Sequence, residues 1–182
     1  MLADFFVPFV SVALAELGDK TQLAIFSLSS RTEKHYELLA GVLLAFLLSS
    51  IIAVIFGGLV SQFVPQNVLK IIAGILFIGF GVFSFIETHN KPETPPLRNP
   101  FISAFTLVFL SEIGDKSQLA VGLFATRFNP LLVFLGSFLV LALLSIAAVY
   151  VGKTLLTKIN RTALSYFSAA LFILIGIGFL LW

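Results

Sequence analysis

Apolar residues fall into six long runs, separated by short polar or proline-bearing stretches. A membrane span takes about 20 mostly apolar residues, and the runs predict six such helices, over roughly 3–29, 38–60, 67–87, 100–126, 131–152 and 162–182. Six prolines (Pro65, Pro92, Pro95, Pro96, Pro100 and Pro130) stand at or between predicted helix ends. Proline lacks the amide hydrogen that a helix interior needs. Pro8 falls in the first turns of the first helix, where it is best tolerated. The predicted fold class is therefore an all-α integral membrane protein.

A polar, proline-rich segment near the middle divides the chain into a first three-helix unit (1–88), a central linker (89–99) and a second three-helix unit (100–182). The units repeat each other. Glu16-Leu17-Gly18-Asp19-Lys20-Thr21-Gln22-Leu23-Ala24 matches Glu112-Ile113-Gly114-Asp115-Lys116-Ser117-Gln118-Leu119-Ala120 with seven of nine positions identical. Arg31 aligns with Arg127, and with one residue deleted Gly41, Ser50, Ala53 and Gly57 align with Gly136, Ser145, Ala148 and Gly152. Gly79 and Gly81 pair more weakly with Gly176 and Gly178. With an odd number of helices per repeat, the second must enter the membrane from the opposite side, so the expected architecture is two inverted three-helix repeats.

Lysine and arginine set the orientation. The odd-numbered loops hold Arg31, Lys34, Lys91, Arg98, Lys153, Lys158 and Arg161, and the opposite side holds Lys70 and Arg127. This places the odd-numbered loops in the cytoplasm and both termini outside it. Phe5 to Ala15 resembles a short secretory signal ending in Ala-Leu-Ala. It has Asp4 and no basic residue before it, and its pattern recurs in the second half, so a retained helix is expected.

Composition sharpens the picture. Of 182 residues 59% are hydrophobic and 11% charged, with a net charge of +2. Soluble domains carry about 25% charged residues, and so small a charge gives no reason to expect nucleic acid as a partner. The absence of cysteine excludes disulfides, thiolate metal sites and cysteine nucleophiles. The two histidines, His35 and His89, fall in predicted loops and are expected to be solvated. A nitrogen–sulfur zinc or copper site has almost nothing to be built from.

Chemistry concentrates in the repeated motif. Charged groups at the bilayer centre cost about 2.5–3.5 kcal/mol each even on lenient scales. Glu16 and Glu112 each lie roughly 18–20 Å along their helices, near the midplane. In a continuous helix Glu16, Asp19 and Lys20 share a face, as do Glu112, Asp115 and Lys116. Gln22 and Gln118 lie close enough in angle for their amide oxygens to face the same place. Gly18 and Gly114 separate each acidic pair and could let the helix unwind, freeing carbonyl oxygens.

Pairing Glu16 with Lys20 and Glu112 with Lys116 as plain salt bridges would leave Asp19 and Asp115 unassigned. It would not explain why the set occurs twice at one depth. Four carboxylates and two amides make a hard, oxygen-rich site suited to Ca2+, Mn2+ or Mg2+, and Mg2+ gives up its water reluctantly. Four carboxylates and two ammonium groups sum to −2, which one divalent cation neutralises, and protons can replace it on crowded carboxylates. The expected mechanism is antiport, with the ion as cargo and no resident cofactor. Ser49, Ser50 and Ser145 read as helix-packing residues, as do Gly74, Gly79, Gly81, Gly176 and Gly178.

The doubled Glu-x-Gly-Asp-Lys-(Thr/Ser) motif resembles that of the calcium/manganese cation:proton exchanger family, over nearly the whole chain. The resemblance implies export of Mn2+ or Ca2+ from the cytosol against protons. It implies Glu16, Asp19, Glu112 and Asp115 as the motif acids, and Lys20, Thr21, Lys116 and Ser117 as the motif lysine and hydroxyl positions. The short termini and compact linker look like the small prokaryotic members, hence a bacterial inner membrane.

Competing readings are a membrane aspartyl protease, a non-transporting assembly factor, a channel, or a transporter of Mg2+ or Na+. The lysine beside each aspartate opposes a protease dyad, so no enzyme activity is expected. Membrane lipid and the divalent ion are the expected partners. The apolar surface is equally compatible with a homodimer.

Overall fold

The computed structural model describes residues 2–17, 19–86, 99–155 and 161–181. The described residues form eight helices and no strand: α1 (Leu2–Glu16), α2 (Lys20–Ser29), α3 (His35–Phe63), α4 (Gln66–Ile86), α5 (Pro100–Glu112), α6 (Lys116–Ala125), α7 (Pro130–Leu155) and α8 (Arg161–Leu181). Three of them are long and apolar enough to cross a membrane, over His35–Phe63, Gln66–Phe83 and Pro130–Val151. The linker segment expected at 89–99 lies, apart from Asn99, outside the described residues.

Several expectations need correction. The helices read as continuous over 3–29 and 100–126 are each two helices, broken at the acidic motif. Apolar runs flank each polar motif closely on both sides, so counting spans by length joins them across the break. Local chemistry sets the ends instead. Asn99 caps α5 by accepting from the Ile102 amide at 3.1 Å, with Pro100 in the first turn. Asn129 accepts from Leu131 at 3.0 Å and Leu132 at 3.3 Å to open α7. Lys34 pairs with Glu37 at 2.9 Å in the first turn of α3. His35 is not solvated as expected: it is half-buried, with Nδ1 3.3 Å from the Ser29 hydroxyl and its ring against Tyr150.

In lipid, apolar burial does little to draw helices together, so close packing through small residues takes over. Gly41 of α3 lies so near the Phe101 carbonyl of α5 that a Cβ would collide with it, and Gly136 of α7 lies the same way on Phe5 of α1. Gly57 of α3 meets Gly122 of α6 backbone to backbone. Gly74, Gly81 and Gly176 sit in the α4–α8 contact, whereas Gly79 and Gly178 have open space and do not pack as expected.

The principal pairings of elements follow the sequence repeat. Exchanging α1 for α5, α2 for α6, α3 for α7 and α4 for α8 turns the α1–α7 contact into α5–α3 and α2–α7 into α6–α3; α3–α7 and α4–α8 map onto themselves. Phe77, Phe124, Phe172 and Phe179 cluster where α4, α6 and α8 meet. Large apolar side chains such as Ile52, Phe56 and Ile75 remain exposed on the outside. This is the surface expected of a protein immersed in hydrocarbon.

Candidate functional site

Each break ends one helix on a glutamate and starts the next behind an aspartate. The two are built alike: the Asp19 amide donates to the Glu16 carbonyl at 3.0 Å, and the Asp115 amide to the Glu112 carbonyl at 3.1 Å. Leu23 then donates to the Asp19 carbonyl and Leu119 to the Asp115 carbonyl, closing the first turns of α2 and α6. Gly114 has φ +81, a left-handed conformation that costs an L side chain about 1–2 kcal/mol. The expected unwinding at glycine is thus seen at Gly114; Gly18 lies outside the described residues. The glutamates sit at helix C-termini and the aspartates at N-caps, not along one continuous helical face.

Both glutamates are buried, Glu16 at 0% and Glu112 at 1% exposure. They lie within electrostatic reach of each other and of Asp19 and Asp115, so the structure draws the four motif acids into one region. The hydroxyls cross over: Ser117 of α6 is a neighbour of Glu16, and Thr21 of α2 is a neighbour of Glu112. Lys20 reaches across the repeats as well, its Nζ 3.9 Å from Asp115 Oδ1. That contact replaces the within-motif Glu16–Lys20 bridge weighed from the sequence. Lys116 opens α6 and is half-buried.

Among the described residues no three Asp, Glu or His side chains stand close enough to ligate one ion together. Several buried oxygens nonetheless lack hydrogen-bond partners. Neither carboxylate oxygen of Glu16 accepts a hydrogen bond, nor does Glu112 Oε1. The amide oxygens of Gln22 and Gln118 are likewise buried without a partner. Buried polar groups left unsatisfied cost about 1–3 kcal/mol each, so such a concentration calls for a functional explanation.

At the second break, the described residues form a hydrogen-bonded set. Asp115 Oδ2 accepts from the Ser117 amide and hydroxyl, both at 3.2 Å. Gln118 Nε2 donates to Glu112 Oε2 at 3.3 Å and to the Ser49 hydroxyl of α3 at 3.2 Å. Ser49, read from the sequence as packing, therefore touches the site. Its signal was the Ser49-Ser50 doublet, where the second repeat has Leu144-Ser145. Ser145 is a packing residue as expected, donating to its own helix at Leu141. At the first break the carbonyl of Leu14 accepts from Ser168 of α8.

A cavity of about 360 Å³ runs between α3, α4 and α6 from Val64 and Thr126 to Glu112, Gly114 and Gln118. Its walls are almost wholly apolar, and Glu112, Gln118 and Ser49 supply polar atoms at its inner end.

The family described as "Divalent cation/proton antiporter GDT1" matches residues 4–92 and 100–182. A protein of Vibrio cholerae serotype O1 named "Putative manganese exporter" is 30% identical over 175 residues, covering 94% of this chain and 88% of its own length. GDT1-like protein 5 of Arabidopsis thaliana is 31% identical, over 92% of this chain and 91% of its own. GDT1-like protein 5 of Oryza sativa subsp. japonica is 28% identical, over 97% and 94%. No solved structure matches. The expected family resemblance holds: this chain is a member of the GDT1 family of divalent cation/proton antiporters, which are membrane transporters and not enzymes.

Proposed function

We propose that this chain exports a hard divalent cation, Mn2+ or Ca2+, from the cytosol in exchange for protons, by alternating access to a site between the two helix breaks. The observation that carries this is the group of buried, partnerless oxygens on Glu16, Glu112, Gln22 and Gln118. They are hard donors of the kind Ca2+ and Mn2+ take up, with water and hydroxyls completing the shell. Asp19 and Asp115 stand at the N-caps beside them, and Thr21 and Ser117 cross between the two glutamates. Lys20 and Lys116 offer no acceptor; they balance charge. Protons occupy the carboxylates when the ion has left.

In this reading α1 with α2 and α5 with α6 are two broken spans. With α3, α4, α7 and α8 they make six crossings, arranged as two inverted repeats (1–88 and 100–182) around the linker. The exchange symmetry of the helix contacts supports it, as does a family match that falls once on each half. Discontinuous helices at the midplane of inverted repeats are the usual place for an ion site. The cavity reaches Glu112 from the end that holds Val64 and Thr126, which the lysine and arginine distribution puts outside the cytoplasm. In this reading the cavity is a route between Glu112 and the outer side. A bacterial inner membrane fits this orientation and the Vibrio cholerae relative, whose name carries manganese export.

Uptake of Mn2+ and of Ca2+ into proteoliposomes, with and without an imposed pH gradient, tests the reading. Accumulation of one ion that follows the gradient and collapses when a protonophore dissipates it is the expected result. Uptake indifferent to the gradient would overturn proton exchange. No uptake of either ion would overturn transport.

A further inference from the structure

We infer that Ser49 is a positioning residue that sets ion affinity by locking the Gln118 amide with its oxygen toward the bound cation. The inference rests on the transport reading above and names a residue outside the repeated motif.

The argument is one of donors and acceptors. A primary amide has two N–H donors and one acceptor oxygen, while a carboxylate in the ionised state that meets a cation is acceptor-only. Gln118 therefore turns its nitrogen, not its oxygen, to Glu112 Oε2, 3.3 Å away. The hydroxyl hydrogen of Ser49 goes to the Phe46 carbonyl at 3.2 Å, leaving the Ser49 oxygen to accept from the same Gln118 nitrogen at 3.2 Å. Both amide hydrogens are then committed. Gln118 Oε1 is left buried, with no partner and a single fixed orientation. A neutral oxygen held in place binds a cation without first being reoriented, which lowers the cost of binding.

The other half of the molecule provides the contrast. The position that aligns with Ser49 is Leu144, on α7, the helix against which α2 packs. Leucine offers no acceptor, and there neither the nitrogen nor the oxygen of Gln22 has a partner. The two glutamines share a motif, yet only the one with a serine opposite it is oriented.

The test uses the full-length protein in proteoliposomes with Mn2+ as the probe ion. In Ser49→Ala, KM should rise about three- to tenfold, the weight of one hydrogen bond, with Vmax within about twofold of wild type. Ser49→Thr keeps the hydroxyl and should restore the wild-type KM. Ser145→Ala removes a buried hydroxyl bonded only to its own helix and should leave KM unchanged. A Ser49→Ala KM within about twofold of wild type would overturn the inference. So would a fall in Vmax and thermal stability with no change in KM, the signature of a purely structural serine. Wild-type protein that failed to transport would instead sink the transport reading, which keeps the two failures distinct.

Discussion

The α1–α2 and α5–α6 breaks carry one motif and share one backbone hydrogen-bond pattern, yet their surroundings differ. At the first, Glu16 is enclosed and takes no hydrogen bond, Gln22 is buried without a partner, and Ser168 of α8 caps the Leu14 carbonyl. At the second, Glu112 and Gln118 are tied to each other and to Ser49, and the break borders a cavity of about 360 Å³. A repeat fixes the ligand types twice over, but the residues facing each copy come from other helices and have diverged. Among the described residues, the second break is the one whose glutamate and glutamine are tied to a third residue and border the cavity.

The largest expected effect treats the halves as equals. Glu16→Gln and Glu112→Gln should each lower gradient-driven transport at least about a hundredfold, since in the proposed mechanism each removes a charged ligand from a buried site. Retained transport in either variant would break the claim that both copies serve one ion. Next in size are Gly41→Leu and Gly136→Leu, which force side chains into matching backbone contacts on Phe101 and Phe5. Overpacking of this kind costs about 1–3 kcal/mol. Both variants should melt lower by similar amounts in detergent, and unequal losses would show that the two clamps are not equivalent. Gly114→Ala should cost about 1–2 kcal/mol of stability from its left-handed backbone alone, because the space around Gly114 is open. A melt unchanged from wild type would mean that this backbone relaxes. Smallest is Leu144→Ser, which gives the first half the hydroxyl it lacks. Its KM for Mn2+ should fall by about threefold or less, and an unchanged value would show that Gln22 is out of reach of that position.

The membrane character, the repeat and the residues drawn together at the breaks were legible in the sequence because each leaves a mark in composition or in identity between halves. The breaks themselves were half legible. Glycine between two acids flagged a weak point, but spacing along an assumed continuous helix gave Glu16, Asp19 and Lys20 a shared face that the structure replaces with a helix end and an N-cap. Lys20 shows why this matters: once the helix breaks, it reaches Asp115 in the other repeat. Ser49, marked only by its doublet with Ser50, was barely legible for a different reason. A lone serine in a membrane helix usually packs or bonds back to its own turn, as Ser145 does. Only the tertiary contact of α3 with α6 separates the two cases.

The close approaches at Gly41 and Gly136 also bear on how the chain is made. Each joins elements from opposite halves, α3 with α5 and α1 with α7, and α4 finds its main partner in α8, the last helix of the chain. At synthesis rates of about 5–20 residues per second, α1 emerges on the order of ten seconds before α7. During that interval its buried glutamate has no second motif beside it and its glycine-fitted flank has no mate. The first half therefore cannot finish folding on its own; it must be kept from wrong associations in the bilayer until the ribosome delivers the other half.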